Sequence, residues 1–408
     1  MSQKERLVLR DIESVEHSRV VLLTNILPPY LLPVFQAVAH RIASLRILLS
    51  VPMESDRPWQ ARWDGLNVTV QKSVSMSLQQ KHPQGFASQV DRHFPYDTLP
   101  LLLSFRPDVL ISAQLGFRTI QSALYRLLSP RSRLVIWVDG SEHTERAYGP
   151  TRTFFRRVLL RCADAVLVIG ESGERYIRRL GVPSARIVQV PFVTQMSPFQ
   201  AMPLQRNKDA ERRLLYVGRL VEGKGLVPFV KELVRWIEQH PCEQRELWFV
   251  GDGPLRRELQ DIRTTAGLSL RFFGNVSYDE LPAFYAQAGV CVLPTLADTW
   301  GLVVNEALAA GVPVLGSLYS QAVEQLVRDG ENGWTYFPDK PGDAPRIFDR
   351  ALSIRGEVLA RMRHEARASV AHLTPEHAAR HFLQAIALAQ STLPGMPLHS
   401  TQSIAGKP

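Results

Sequence analysis

Cysteine is scarce: Cys162, Cys242 and Cys291 are the three in 408 residues. They stand far apart in an odd number, which excludes a disulfide framework and any recognisable zinc spacing. Cys162 and Cys291 sit beside apolar runs and read as buried thiols rather than reactive ones. Long apolar runs are lacking too. Nothing approaches the ~20 consecutive apolar residues of a membrane-spanning helix. Met1–Glu16 is polar and charged, without the apolar stretch of a secretory signal, so the expected location is cytoplasmic. Tandem repeats are absent. Acidic residues are outnumbered, 39 Asp and Glu against 48 Lys and Arg, for a net charge of +9. That balance favours an anionic partner: a phosphorylated ligand, an acidic membrane surface or nucleic acid.

What is present is the composition of a globular α/β protein, 45% apolar and 21% charged, long enough for two cores. Short runs rich in Val, Ile and Leu alternate with helical patterns. Arg19–Thr24, Leu45–Val51, Asp108–Ser112, Leu134–Val138 and Ala165–Gly170 read as parallel strands buried on both faces. Val34–Arg41, Phe117–Leu128, Thr153–Cys162 and Gly173–Leu180 read as the helices between them. A polar stretch with Pro198 and Pro203, residues 196–213, reads as a linker. The pattern then restarts with strands at Leu214–Val217, Leu247–Val250, Ser269–Phe273, Val290–Leu293 and Pro313–Leu315. Two βα series predict two Rossmann-like domains facing a cleft, 1–195 and 214–374. A helix over 375–390 and a Pro/Ser/Gly-rich, disordered tail over 391–408 follow.

The second half concentrates chemistry at strand ends. In LLYVGRLVEGKG, Gly218 turns the chain out of a strand, and Arg219 and Lys224 precede a helix. Two cations there suit a diphosphate, although a basic surface turn uses the same residues. In LWFVGDGP, Gly251 and Gly253 let a ligand approach the backbone or simply form a turn. In RFFGNV, a flat base can lie on the strand end at Phe273, Gly274 and Val276, or that end is merely buried. In DTWGLVVNE, Asp298 sits in a loop before a helix opening at Gly301, and Glu306 lies one turn inside. Free N–H groups of Leu302 and Val303 suit an anion, and Glu306 suits ribose hydroxyls, unless it only complements the helix dipole.

In this order and spacing the four elements resemble the retaining GT-B glycosyltransferases of family four. That family shows G-R-L-x-x-x-K-G, G-x-G-P, F-x-G and E-G-F-G-x-x-x-x-E-A-x-A-x-G-x-P-V; here they are Gly218–Gly225, Gly251–Pro254, Phe272–Gly274 and Asp298–Val314. The resemblance implies metal-independent transfer of a sugar from a UDP- or GDP-linked donor, without cofactor, to a hydroxyl of a saccharide or lipid-linked acceptor. A cell-surface polysaccharide pathway is implied as well. It implies catalytic roles for Asp298, Glu306, Arg219, Lys224 and Asp139, and donor contacts from Gly218, Gly251, Gly253, Phe273, Gly274, Val276, Trp300, Gly301, Leu302 and Val303. Two departures stand out: Asp298 replaces the usual Glu, one methylene shorter, and Trp300 a commoner Phe. A silent paralogue that binds the nucleotide sugar without transferring it is the alternative. A nucleic-acid partner explains the charge but not these ordered glycines and acids.

The first half matches less closely. Its Pro-rich loop Asn25–Pro33 stands where the family often has glycines, and Asn25, Pro29 and Tyr30 are expected to shape the acceptor pocket. Asp139, Glu142 and His143 follow a strand and are expected to orient the acceptor. In RTFFRRVLLR, Arg152, Arg156, Arg157 and Arg161 interleave with apolar residues, with Arg146 upstream. That helix rests on an anionic membrane, packs on the sheet, or does both along different faces.

Overall fold

The computed structural model describes residues 15–54, 60–82, 85–145 and 149–391. Most of the charged N-terminal segment, Arg146 and the tail beyond Ser391 lie outside the described residues.

The first half comprises β1 (Arg19–Thr24), α1 (Leu32–Ala39), β2 (Ser44–Leu49), β3 (Asn67–Val70), β4 (Ser73–Lys81), β5 (Ala87–Pro95), α2 (Thr98–Phe105), β6 (Val109–Ala113), α3 (Phe117–Leu128), β7 (Arg133–Val138), α4 (Pro150–Arg161), β8 (Ala165–Val168), α5 (Gly170–Arg179) and β9 (Ile187–Gln189). After a short α6 (Ser197–Gln200) come β10 (Arg213–Val217), α7 (Leu226–Gln239), β11 (Arg245–Val250), α8 (Arg256–Gln260), β12 (Leu268–Gly274), α9 (Leu281–Ala286), β13 (Val290–Leu293), α10 (Leu302–Ala309), β14 (Val314–Ser317), α11 (Gln321–Leu326) and β15 (Gly333–Tyr336). Three helices close the chain: α12 (Asp343–Leu352), α13 (Gly356–Val370) and α14 (Pro375–Ser391).

Both large sheets are parallel, ordered β3-β2-β1-β6-β7-β8-β9 and β12-β11-β10-β13-β14-β15. The double-sided burial of β6, β8 and β13 is why these strands are almost wholly apolar. In each sheet the strand order reverses beside the first strand, between β1 and β6 and between β10 and β13. Such a reversal splays the flanking loops apart and leaves a crevice at the carboxyl ends.

Leu102, Tyr125, Leu160 and Ile177 bring α2, α3, α4 and α5 onto one face of the first sheet. Val34, Phe35 and Val38 of α1 and Phe382 of α14 cover the other face. Phe382 meets Phe35 at 5.0 Å and Trp137 at 5.1 Å, and Gln390 donates to Ser18 Oγ at 2.9 Å. The C-terminal helix therefore crosses back to the N-terminal half. Among the described residues no helix is long and apolar enough to cross a membrane.

Strands β3 and β9 and helix α2 go beyond the sequence pattern, as do the features that follow. The stretch 196–213 holds α6 and a 3-10 turn at Lys208–Arg212, and Arg206 ties it to the Ala310 carbonyl at 2.9 Å. The hairpin β4–β5 stands apart from both sheets, and its Phe86 ring lies against Gly223 of the second half. Strand β15 and helices α11 to α13 extend the second half where the pattern marks no element.

Candidate functional site

At the second reversal, β10 ends in Gly218, whose φ of 143° is closed to most side chains. The loops after β10, β11 and β12 are laced together by their backbones. Gly218 N–H donates to Val250 O at 2.9 Å, Leu220 N–H to Asp252 O at 2.9 Å, and Gly251 N–H to Gly274 O at 2.7 Å. A Cβ at Gly251 would lie 2.1 Å from Gly218 O, and one at Gly253 2.4 Å from Leu220 O. Close packing of these loops therefore accounts for both glycines before any ligand is considered. Phe273 is partly exposed at the rim, 5.0 Å from Trp248 and 4.9 Å from Phe284, and Val276 packs at the core edge.

Lys224 and Asp298, 74 residues apart in sequence, form an ion pair across this reversal, both half-buried. Arg219 is exposed on the same loop as Lys224. The loop carrying Asp298 is fixed from below: Asp298 N–H donates to Tyr319 O at 3.1 Å, Gln321 Nε2 to Thr299 O at 2.6 Å, and Ser320 Oγ to Trp300 O. Gly301 then takes φ 101° as the N-cap of α10, leaving Leu302 and Val303 half-buried at the helix start. Trp300 turns away from the crevice. It is buried, its indole N–H donates to Asn305 Oδ1 at 2.8 Å, and its ring lies 6.2 Å from Phe192 of the first half. Asn305 in turn donates to Phe192 O at 3.0 Å, so Trp300 acts here as packing between the two halves.

Glu306 is drawn into the protein with 6% exposure, and Tyr285 Oη donates to its Oε2 at 2.9 Å. Burial pushes its carboxyl up to about 7 against the hydrogen bonds from Tyr285 and Tyr278. Tyr278 also shares a hydrogen bond with Thr194 at 2.8 Å. No sequence motif marks Tyr278, Tyr285 or Gln321; their helix and loop spacing is ordinary, and only the fold aims them here.

At the first reversal a cavity of about 150 Å3 opens between the ends of β1 and β6. Asn25, Tyr30, Gln114 and Asp139 line it together with Glu54 and Phe192, and Pro29 begins the 3-10 turn beneath. Burial raises the Asp139 carboxyl, against a hydrogen bond from Gln114. Gln114 itself holds φ 68°, a left-handed backbone that a non-glycine residue adopts at a cost.

Behind the cavity lies Arg118. Its guanidinium is buried, donating to Asn25 Oδ1, to Ser50 Oγ at 2.7 Å and to Ala113 O at 3.3 Å. Burial pulls its pKa down to about 10, while Asp139 and Glu54 pull it back up. Arg118→Ala removes three hydrogen bonds and the cation that balances two acids. The expected loss is about 3 kcal/mol by urea denaturation, with only partial recovery in Arg118→Lys, which keeps the charge without the fork. An unchanged midpoint in Arg118→Ala sinks this role.

Glu142 and His143 do not line the cavity. Glu142 is held by Arg175 and Arg179 at the boundary between the halves, where Arg175 also grips Glu324. His143 is buried with its ring 5.3 Å from Tyr319. Glu142, His143 and Glu324 place ligand atoms within 4.8 Å of one another, but Arg175 already bridges both carboxylates. Arg156 likewise faces inward, buried and paired with Glu145 and Tyr176, and is not available to a membrane. Gln321 spans the boundary: it accepts from Gly173 N–H at 3.0 Å and donates to Asp139 O at 3.1 Å. The two crevices are thereby locked to a common residue.

Comparison with known proteins covers both halves. The family model described as "Glycosyl transferases group 1" matches residues 211–354, and "Glycosyl transferase 4-like domain" matches 27–192. An uncharacterized glycosyltransferase of Methanocaldococcus jannaschii is 32% identical over 36% of this chain and 37% of that protein. The sulfoquinovosyl transferase of Arabidopsis thaliana is 27% identical over 62% and 53% respectively. An N-acetylgalactosaminyltransferase of Campylobacter jejuni, named for an undecaprenol-linked acceptor, is 28% identical over 47% and 52%. The chain thus spans about half the length of these relatives or less. Among solved structures, Anabaena HepE in complex with UDP superposes with a TM-score of 0.65 at 13% identity, over 90% of this chain and 99% of that one. The galactosyltransferase WaaB gives 0.64 at 14%, over 90% and 98%. At such identities these two structures establish a shared GT-B fold.

Proposed function

The chain belongs to the group 1 glycosyl transferases, and from that membership we propose that it moves a sugar from a nucleotide-diphosphate donor to an acceptor hydroxyl. The observation that carries the reading is the Lys224–Asp298 pair at one strand reversal, tied through Gln321 to the Asp139 cavity at the other.

In this reading Arg219, Lys224 and the start of α10 meet the charge that grows on the departing diphosphate. The two cations and the helix start supply that stabilisation themselves, and the reading takes no metal for it. Lys224 exchanges its bond with Asp298 for one to phosphate, and Asp298 turns to a sugar hydroxyl. Glu306 accepts from the ribose. A leaving phosphate oxygen helps to deprotonate the acceptor on the same face, and the anomeric configuration is retained.

The acceptor occupies the cavity of Asn25, Tyr30 and Asp139. The name of the Campylobacter relative, which specifies an undecaprenol-linked saccharide, supports a saccharide or lipid-linked acceptor here. The anionic membrane contact expected of α4 then falls to Arg157 and Arg161, since Arg152 lies beside Glu145 and Tyr176.

Thermal unfolding with UDP-, GDP- and ADP-sugars tests the donor reading, because a ligand that binds the native state alone raises its stability. One nucleotide class is expected to raise Tm by several degrees at a hundredfold excess over Kd, an added stability of about 2.7 kcal/mol. No shift with any of the three removes the donor site.

A further inference from the structure

Helix α3 carries apolar residues on both of its sides. It buries Ala123 and Tyr125 together with the polar Arg118, Thr119, Gln121 and Ser122 on the sheet side. It exposes Phe117, Ile120, Leu124, Leu127 and Leu128. These five recur at three- and four-residue spacing and form one continuous stripe along the outer side. A helix that turns its apolar stripe to water forgoes the burial that normally holds it in place.

The stripe has neighbours. Helices α2, α3 and α4 lie side by side on the same face of the first sheet, as their shared core shows. Next to the stripe, α2 exposes Leu103, and α4 exposes Phe154, Phe155 and Val158. At its upper end Phe117 meets Phe94 of the hairpin at 5.7 Å, and β4 exposes Val74, Met76 and Leu78 at alternate positions. An uncovered apolar surface of this extent marks an interaction site.

Charge selects the occupant. None of α2, α3 and α4 contains an Asp or a Glu. Arg157 and Arg161 stand exposed on α4, and Arg131 just beyond α3. An apolar face rimmed by arginine and free of carboxylates fits the headgroups and outer acyl chains of an anionic bilayer. A second copy offering the same face would set arginine against arginine.

We propose that the outer face of α2, α3 and α4 docks this protein onto an anionic lipid surface, with Leu124, Leu127, Phe154 and Phe155 entering the acyl boundary. Phe117 follows the cavity residue Gln114 by three positions, so docking sets the acceptor cavity at the lipid headgroups. The docking face deepens the acceptor reading above but does not depend on sugar transfer.

Co-sedimentation with vesicles tests it. The wild type is expected to sediment with vesicles of phosphatidylcholine and phosphatidylglycerol, weakly with phosphatidylcholine alone, and less as salt rises. The double variant Leu127→Glu, Phe155→Glu is expected to lose at least ~10-fold in binding, and Arg157→Glu, Arg161→Glu to lose chiefly the anionic preference. Both pairs are exposed and outside the donor site, so the nucleotide thermal shift serves as the folding control. If the glutamate pair unfolds, Leu127→Ser with Phe155→Ser gives the same reading. A wild type that stays in the supernatant at low salt overturns the proposal. So does a double variant that binds as well as the wild type, or one that merely converts a dimer to a monomer. A wild type that docks but shows no nucleotide shift overturns the donor reading instead and leaves the docking face standing.

Discussion

Lys224→Ala is expected to lower sugar transfer by about 10² to 10³-fold, the usual effect of deleting one preorganised group aimed at developing charge. Stability should fall by only about 1 kcal/mol, because the pair with Asp298 is not fully buried and partly exposed ion pairs contribute little. The loss should appear in kcat as well as in KM, since the leaving diphosphate is more highly charged in the transition state than in the bound donor. Asp298→Asn separates the two partners. If Lys224 serves the diphosphate and Asp298 the sugar, Asp298→Asn changes the preference among donor sugars, and Lys224→Ala lowers turnover with all of them. The double variant should lose less than the sum of the two singles, because the residues touch. Turnover within threefold of wild type in Lys224→Ala, assayed with the donor that gives the thermal shift, removes the diphosphate assignment.

Glu306 gives the second large effect, read in stability against pH. In the folded protein its carboxyl keeps a proton up to about pH 7, because burial disfavours the anion. In the unfolded chain it releases that proton near the ordinary value of 4.5. Between those two values the unfolded state binds fewer protons, so its contribution to stability is full below pH 4.5 and is lost as pH rises to 7. The gap corresponds to roughly 3 kcal/mol. Glu306→Gln stays neutral, keeps a carbonyl to accept from Tyr285, and should lack this decline. Urea midpoints at pH 5, 6 and 7.5 should show the variant gaining on the wild type at each step, and parallel profiles contradict the buried carboxyl. In catalysis above pH 7, where the carboxyl has lost its proton, the same change is expected to raise the donor KM about tenfold or more if Glu306 holds the ribose, since hydrogen bonds to a charged group are worth about 1.5 to 3 kcal/mol.

The two predictions rest on residues of different legibility. Lys224, Asp298 and Glu306 lie in short motifs at strand ends, and the spacing of those motifs is a local property. The strands are legible for the same reason: buried parallel strands must be apolar throughout, and a run such as Val290–Leu293 says so without its neighbours. The helices between them follow from periodicity. The hairpin β4–β5 escapes because its alternation of Val74, Met76 and Leu78 with serine and glutamine is that of a surface strand, and its partner Ala87–Pro95 carries no apolar run, although Pro83 and Gly85 punctuate the sequence between them.

Other residues stand where their motifs do not place them, for a reason that spacing does not record. Trp300 stands inside the donor motif, yet its side chain points into the seam and ends on Asn305. Glu142 and His143 follow the same strand as Asp139, yet arginines from α5 and the Tyr319 ring draw them to the boundary between the halves. Arg156 belongs to a basic amphipathic helix, yet Glu145 and Tyr176 hold it inside. Glu142 and His143 are held by partners far away in sequence, Arg156 by Glu145 and Tyr176 outside its own helix, and Trp300 by Asn305 five positions on and by the Phe192 ring of the first half.

By itself, the sequence determined two βα halves, the positions of the glycine turns and the order of cations and acids, because these depend on local backbone geometry and on short-range periodicity. The tertiary structure alone decided that Lys224 meets Asp298, that Glu306 is buried against Tyr285, and that Arg118 supports the cavity of Asn25 and Asp139. It also decided that α3 faces its apolar stripe outward. Pairing, burial and the side on which a helix meets its sheet are set by long-range packing and the reversal of strand order, and a one-dimensional pattern does not carry them.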